Sequence, residues 1–291
     1  MLWHALQFFI RLSHPLTLLS GALLFALGAG IARYLGTGPD WRLYFLGQAW
    51  VILLQLAVHY LSEYFSSPPH NNTTSSNTNL PRAALLWASA AALTAVTSFT
   101  LMLRVAGAGS AALLIMLLFF ASGVFYALPP ARLIESGYGE LLASVAMAGL
   151  IPTLAFTLQF SQIHRLAAMS TFPLIPLHLA MLLTFEFPTY AGDLKHEKRT
   201  LLTRLGWQNG MNLHNLMILA AYLLFALALF AGFPTSIGLP ALLTLPLGLF
   251  QIWYLSRIAA GVKPNWHLLA WTGIAVFAAT AYLLTFSFWT K

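Results

Sequence analysis

Long apolar stretches separated by short polar breaks run the length of the chain. Nine stretches reach the span of about 20 residues that a helix needs to cross hydrocarbon: 15–35, 42–65, 83–103, 108–128, 140–160, 168–187, 213–232, 236–256 and 266–288. They are continuous runs, without the two-residue alternation of a barrel strand. Pro15 suits the first turn of its helix, and Pro68 and Pro188 lie just beyond two others, where a missing N–H interrupts nothing. Two connections stand out. The one at 66–79 is almost wholly Ser, Thr, Asn, Pro and His, and the one after the sixth stretch is charged. Residues 1–14 read as an N-terminal interfacial segment with Trp3 and Phe8 toward the membrane. Residues 15–291 then form a single nine-helix transmembrane domain. The apolar run after Arg11 is long enough to span, so this start does not read as a cleaved signal peptide.

Composition narrows the class. Of 291 residues, 59% are hydrophobic and 7% charged, against about 25% charged in a soluble domain. Soluble, disordered and coiled-coil chains are excluded, and an all-α membrane protein remains. The formal charge of +7 reads as topology-setting loop charge, with membrane lipids and not nucleic acid as surroundings. Without cysteine there is no disulfide or thiolate chemistry. Nine cations fall on the N-terminal side (Arg11, Arg82, Arg132, Lys195, Lys198, Arg199, Arg204, Arg257, Lys263) and five opposite (Arg33, Arg42, Arg104, Arg165, Lys291). This bias predicts a cell (inner) membrane protein with a cytoplasmic N-terminus. Six of the seven acids share that side, and only Asp40 lies opposite.

The acids sit in unfavourable places. Glu63 falls in the last turn of the second helix, Glu186 at the end of the sixth, and Asp193 just after it. A helix C-terminus is already negative, and an acid at the hydrocarbon edge is costly. Either a cation offsets both effects or the acids reach headgroup water. The run Asp193-Leu194-Lys195-His196-Glu197-Lys198-Arg199-Thr200 sets three cations beside two acids. That mixture suits a phosphate held by Lys and Arg and bridged through Mg²⁺ to carboxylates, or a juxtamembrane loop that sets topology. In the segment 125–140, Pro129-Pro130 ends a helix and Gly137 and Gly139 turn the chain into the next. Glu140 opens that next helix, where negative charge is favourable, so Arg132 is the better site candidate. His59 and Glu63 stand one turn apart, and His178 lies two turns before Glu186. That pattern leaves a haem or transition-metal protein open. No charged path crosses the midplane, which argues against a transporter.

Gly192-Asp193-Leu194-Lys195-His196-Glu197-Lys198-Arg199-Thr200-Leu201, followed by Arg204-Leu205-Gly206, resembles the G-D-R-K-x-G-K-R-T-L-x-x-R-L-G string of the UbiA superfamily of intramembrane prenyltransferases. Residues 126–140 resemble that family's Y-S-x-P-P-x-R-x-K-x-x-G-x-G-E segment, and His14-Pro15-Leu16-Thr17-Leu18 its R-P-x-T-L. The likeness is strongest to the 1,4-dihydroxy-2-naphthoate polyprenyltransferase branch, and covers nearly the whole chain. Two Asp-rich motifs are reduced here. N-D-x-x-D-x-x-x-D reads Ser62, Glu63, Ser66 and His70, and D-x-x-x-D reads Thr189 and Asp193. Ile134 replaces a frequent lysine, Glu197 a glycine and His14 an arginine.

The resemblance implies a nine-helix bundle that transfers an isoprenoid chain from a prenyl diphosphate to an aromatic quinone precursor or related lipid-soluble acceptor, with Mg²⁺ as cofactor. It assigns Glu63 and Asp193 as catalytic and metal-binding residues, with His70 and Glu186 as further metal candidates and Glu197 as a recruit. Arg132, Lys195, Lys198 and Arg199 would bind the diphosphate, and Tyr64 and Tyr126 the prenyl cation. The alternative is a non-catalytic relative that binds an isoprenoid, quinone or lipid diphosphate.

Overall fold

The structure, a computed structural model, describes residues 13–66 and 82–291. His70, nearly all of the polar connection at 66–79 and residues 1–12 of the interfacial segment lie outside the described residues. The described residues are helical, with no strand. Nine helices among them are long and apolar enough to cross a membrane: α1 Pro15–Tyr34, α2 Trp41–Phe65, α3 Arg82–Val105, α4 Ser110–Ala127, α5 Gly139–Phe160, α6 Arg165–Glu186, α7 Trp207–Phe230, α8 Thr235–Ala259 and α9 Trp266–Thr290. They match the nine apolar stretches. The largest shift is in α7, which starts at Trp207 and not at 213. Its first turns carry Gln208, Asn209 and Asn212, so hydropathy hides a start set by Gly206 at φ 79°.

Three helices are irregular at prolines. In α5 the segment Val145–Leu150 is a π-turn, just before Pro152. Proline has no N–H to give to the carbonyl one turn back, so the ladder widens there. Pro173 divides α6 between Thr171 and Leu174, and Pro246 lies just after the break in α8 at Leu243 and Thr244.

α1 packs along α5 and α9, α2 along α3, and α6 between α7 and α9. In lipid, close packing replaces the hydrophobic effect between helices, which favours small contact residues. α1 supplies glycines for this. A Cβ on Gly28 would run into the Pro152 carbonyl oxygen and lie 2.8 Å from the Ala155 Cβ, and one on Gly30 would lie 2.8 Å from the Trp289 ring. Trp289 Nε1 donates to the Ala26 carbonyl at 2.9 Å, tying α9 to the same face.

At one end of the bundle, Asp40 caps α2 by accepting from the Arg42 and Leu43 N–H groups at 2.8 and 3.2 Å. The lone acid of that side therefore has a structural role. The opposite end gathers the irregular backbone at 128–138 and 187–206. There the short helix Tyr190–Lys195 closes with a Schellman pattern: Lys198 N–H bonds the Asp193 carbonyl at 2.9 Å, and Glu197 N–H bonds Leu194 at 3.3 Å. The residue at the left-handed position is Glu197, at φ 54°.

Two outcomes follow from this packing. Gly28→Val forces α1 off α5, and thermal unfolding in detergent should show a loss of about 1–3 kcal/mol or more. At 197, glycine should be more stable than alanine by about 1 kcal/mol, because only glycine adopts the left-handed turn without strain. The opposite order in the same melts would contradict the strained turn.

Candidate active site

A cavity of about 720 Å³ opens between α1, α2, α4, α5 and α6. Its body is apolar, walled by residues such as Leu54, Val58, Phe119, Ala146, Met147 and Met181. Its polar end lies where the irregular segments gather, among Ser62, Tyr126, Glu140, Glu186, Thr189, Asp193, Lys198 and Thr200. Asp193 and Lys198 also border an outer depression of about 520 Å³, with Glu197, Arg199 and Arg204.

Asp193 is the best-held acid. Its Oδ2 accepts from Thr189 Oγ1 at 2.7 Å, and its Oδ1 lies 3.8 Å from Lys198 Nζ. Where the resembled D-x-x-x-D motif has its other carboxylate one turn earlier, a hydroxyl donates to Asp193. Glu186 is buried, and its Oε2 accepts from the Leu202 N–H at 2.9 Å. That donor belongs to the first turn of Leu201–Leu205, a short helix that Thr200 caps, so the carboxylate meets the positive end of a helix. Glu140 lines the same polar end as Glu186, and its Oε2 is buried without a partner. Sequence reasoning passed over Glu140 because its position at a helix start already accounted for it.

The loop before α5 is fastened to the loop after α6. Arg204 donates to the Ser136 carbonyl at 2.7 Å, and its guanidinium lies 4.3 Å from the centre of the Tyr138 ring. Gly137, at φ 76°, leaves the room that the Arg204 side chain occupies. Arg132 adopts φ 35° and pairs through Nη1 with Glu135 at 2.7 Å. Its Nε and Nη2 are buried without a partner.

The expected site residues separate into two groups. Asp193, Lys198, Tyr126 and Glu186 line the cavity, and Arg199 lines the outer depression. Glu63, Tyr64, Arg132 and Lys195 are not in the described lining. For Glu63 the reason is helix register. The cavity face of α2 is Leu54, Gln55, Val58, His59 and Ser62, and the next residue turns about 100° away. Glu63 is exposed, and Tyr64 packs its ring against Phe65 at 4.9 Å. Ser62 and Thr189, motif positions without a carboxylate, and His59 also stand on the wall, with Gln55, to which no motif pointed. For Gln55, the signal available was a lone amide in mid-span.

Mg²⁺ needs several hard oxygen ligands in near-octahedral array. Among the described residues no three His, Asp or Glu side chains form a ligand group for a metal ion. Asp193 and Glu186 are each engaged by protein donors, and Glu63 faces away. These side chains do not fit the paired-ion arrangement implied by two Asp-rich motifs. They do not make a haem or transition-metal site either: His178 Nδ1 lies 3.1 Å from Ser144 Oγ, and its ring packs on Phe277.

Comparison with known proteins agrees with this architecture. A UbiA homolog from Archaeoglobus fulgidus bound to Cd²⁺ superposes with a TM-score of 0.66 at 14% identity, covering 95% of this chain and 98% of that one. The homolog from that organism bound to GPP and Mg²⁺ gives 0.64 at 14% identity, covering 97% and 99%. An apo UbiA homolog from Aeropyrum pernix K1 gives 0.61 at 14% identity, covering 92% and 95%. No curated protein matches the sequence. The UbiA prenyltransferase family profile matches residues 22–265. With nine apolar helices, this is an integral, multi-pass membrane protein, and the chain belongs to the UbiA prenyltransferase family.

Proposed function

We propose that this protein binds a prenyl diphosphate and transfers its isoprenoid chain to a lipid-soluble acceptor, an aromatic quinone precursor or a related compound. The observation that carries the reading is the cavity itself, apolar along its body and charged at one end. An amphiphile with a hydrocarbon tail and an anionic head matches that division. The Archaeoglobus homolog has been captured with GPP and with DMAPP, each with Mg²⁺. The string around Lys198 and Arg199, which resembles that of the dihydroxynaphthoate branch, supports an acceptor with a hydroxylated aromatic ring.

In this reading the tail lies among the apolar residues between α2, α4 and α6, and the diphosphate meets cations. The unpartnered Nε and Nη2 of Arg132 form one edge of a guanidinium fork, the geometry that suits two phosphate oxygens. Lys198 and Arg199 add charge from the other loop. As the allylic C–O bond breaks, negative charge builds on the departing diphosphate, and fixed cations stabilise it. The Tyr126 ring, on the cavity wall, serves the positive allylic fragment. Mg²⁺ accompanies the ligands of the Archaeoglobus homolog, but the donor set here does not fit a pair of ions, so neutralisation is assigned to the cationic side chains. The nine spans act as one domain, with the N-terminus and the charged loops cytoplasmic, as the cation bias favours.

A second reading, a family relative that binds without turnover, draws on one observation: Thr189 donates to Asp193 where the resembled motif has a second carboxylate. Purified protein in detergent, given labelled geranyl diphosphate and a panel of hydroxylated aromatic acceptors with Mg²⁺ varied, should yield prenylated product. Tight binding with no product from any acceptor would favour the second reading. Arg132→Gln should weaken geranyl diphosphate binding about tenfold or more, the scale of a hydrogen bond to a charged group, while leaving geraniol binding unchanged. Equal affinity of the variant and the parent for geranyl diphosphate would remove Arg132 from the site.

A further inference from the structure

Away from the charged end, the cavity wall carries two polar atoms with nothing to bond. Gln55 is 5% exposed and sits in mid-span on α2, on the face that also presents His59. Its Nε2 lies 3.1 Å from Met147 Sδ, on the π-turn of α5, and 3.5 Å from the Thr17 carbonyl oxygen on α1. Both neighbours are acceptors, so the amide nitrogen faces them and Oε1 faces elsewhere. Oε1 is buried with no partner. One turn toward the charged end, His59 Nε2 is also buried with no partner, and its ring packs at 4.7 Å from that of His14.

The amide is boxed in. Opposite it, α1 has Gly21, where a Cβ would lie 2.6 Å from Nε2 and 2.8 Å from Oε1 of Gln55. Beside it, the π-turn brings Met147 to the amide, in the irregular geometry that recurs at functional sites. Each buried polar atom left unpaired costs about 1–3 kcal/mol, and the mid-span wall offers neither atom a partner. An occupant of the cavity does.

The geometry points to a hydroxyl-recognition site formed by Gln55 and His59, which takes the neutral, hydroxylated ring of a phenol or hydroquinone. Gln55 Oε1 only accepts, so the occupant must bring an O–H or N–H. A hydroxyl gives its proton to one atom and offers its lone pairs to the other. A quinone carbonyl or an aryl ether cannot donate, and leaves Oε1 orphaned. Among the described residues the cavity's one lysine, Lys198, lies at the charged end beside Asp193, so a carboxylate beside Gln55 would be buried unpaired. This site rests on reading the cavity as the place of transfer, and within that reading it holds the acceptor. Gln55 and His59 are specificity-determining residues that touch the acceptor ring.

The test uses 1-naphthol and 1-methoxynaphthalene, bound to purified full-length protein in detergent and followed by fluorescence against protein-free micelles. The parent protein should bind naphthol about tenfold more tightly than the ether, the worth of a single neutral hydrogen bond. Gln55→Leu and His59→Phe should each bring that ratio toward one, and Gly21→Ala should do the same by displacing the amide. Because the ratio compares two probes on one sample, partial misfolding lowers both affinities and leaves it intact. A parent ratio near one overturns the inference, as does a ratio unchanged in all three variants. Geranyl diphosphate binding on the same samples separates the two readings. If the diphosphate does not bind but the ratio holds, the transfer reading fails and the hydroxyl site stands. If the diphosphate binds and the ratio is one, the reverse is true.

Discussion

Hydrocarbon cannot hydrogen-bond a peptide group, so every backbone N–H and C=O at membrane depth must find its partner inside its own helix. This constraint orders the molecule. It makes the described residues a set of helices, and it drives irregular backbone to the ends. The Schellman turn at Glu197, the loop around Arg132 and the capped helix Leu201–Leu205 all lie at one end. Chemistry follows, because only there can charged groups be held without crossing the apolar layer. The π-turn of α5 is an instructive exception. It is irregular at depth, and it borders a cavity.

At the charged end, two of the acids are engaged by protein donors. Thr189 and Lys198 hold Asp193, and the Leu202 N–H holds Glu186. A carboxylate satisfied this way is a poorer metal ligand than a free one, while the same contacts fix the loops with few charges. Arg132 keeps orphaned donors, and Glu140 an orphaned Oε2. With so few free carboxylates, this end differs from the carboxylate-rich pattern its motifs resemble.

The spans were legible because a bilayer demands a length and a composition, and both are written locally. Boundaries failed where helices carry polar first turns, as at Gln208 and Asn209 before the apolar part of α7. Asp193, Lys198 and Tyr126 were legible as candidates because a charged string and a proline–glycine turn stand out in an apolar chain. Glu63 stands off the described cavity lining for a geometric reason: motif spacing counts residues, but helix register decides which of Ser62 and Glu63 faces inward. Glu140 was undervalued because its local environment explained it, and its place in one cavity wall with Glu186 depends on a residue far along the chain.

The amino-acid sequence by itself determined the membrane class, the nine apolar spans and the loops that carry charge, since each depends on residues that are neighbours along the chain. Tertiary structure alone decided which side chains share the cavity, that Thr189 and Lys198 engage the surviving Asp193, and that Gln55 Oε1 and His59 Nε2 are left unpaired on its wall. Those outcomes depend on how helices rotate and cross, and the crossings are set by contacts such as Gly21 against Gln55 and Gly28 against Pro152. No local pattern encodes such contacts, because their two halves lie on different helices.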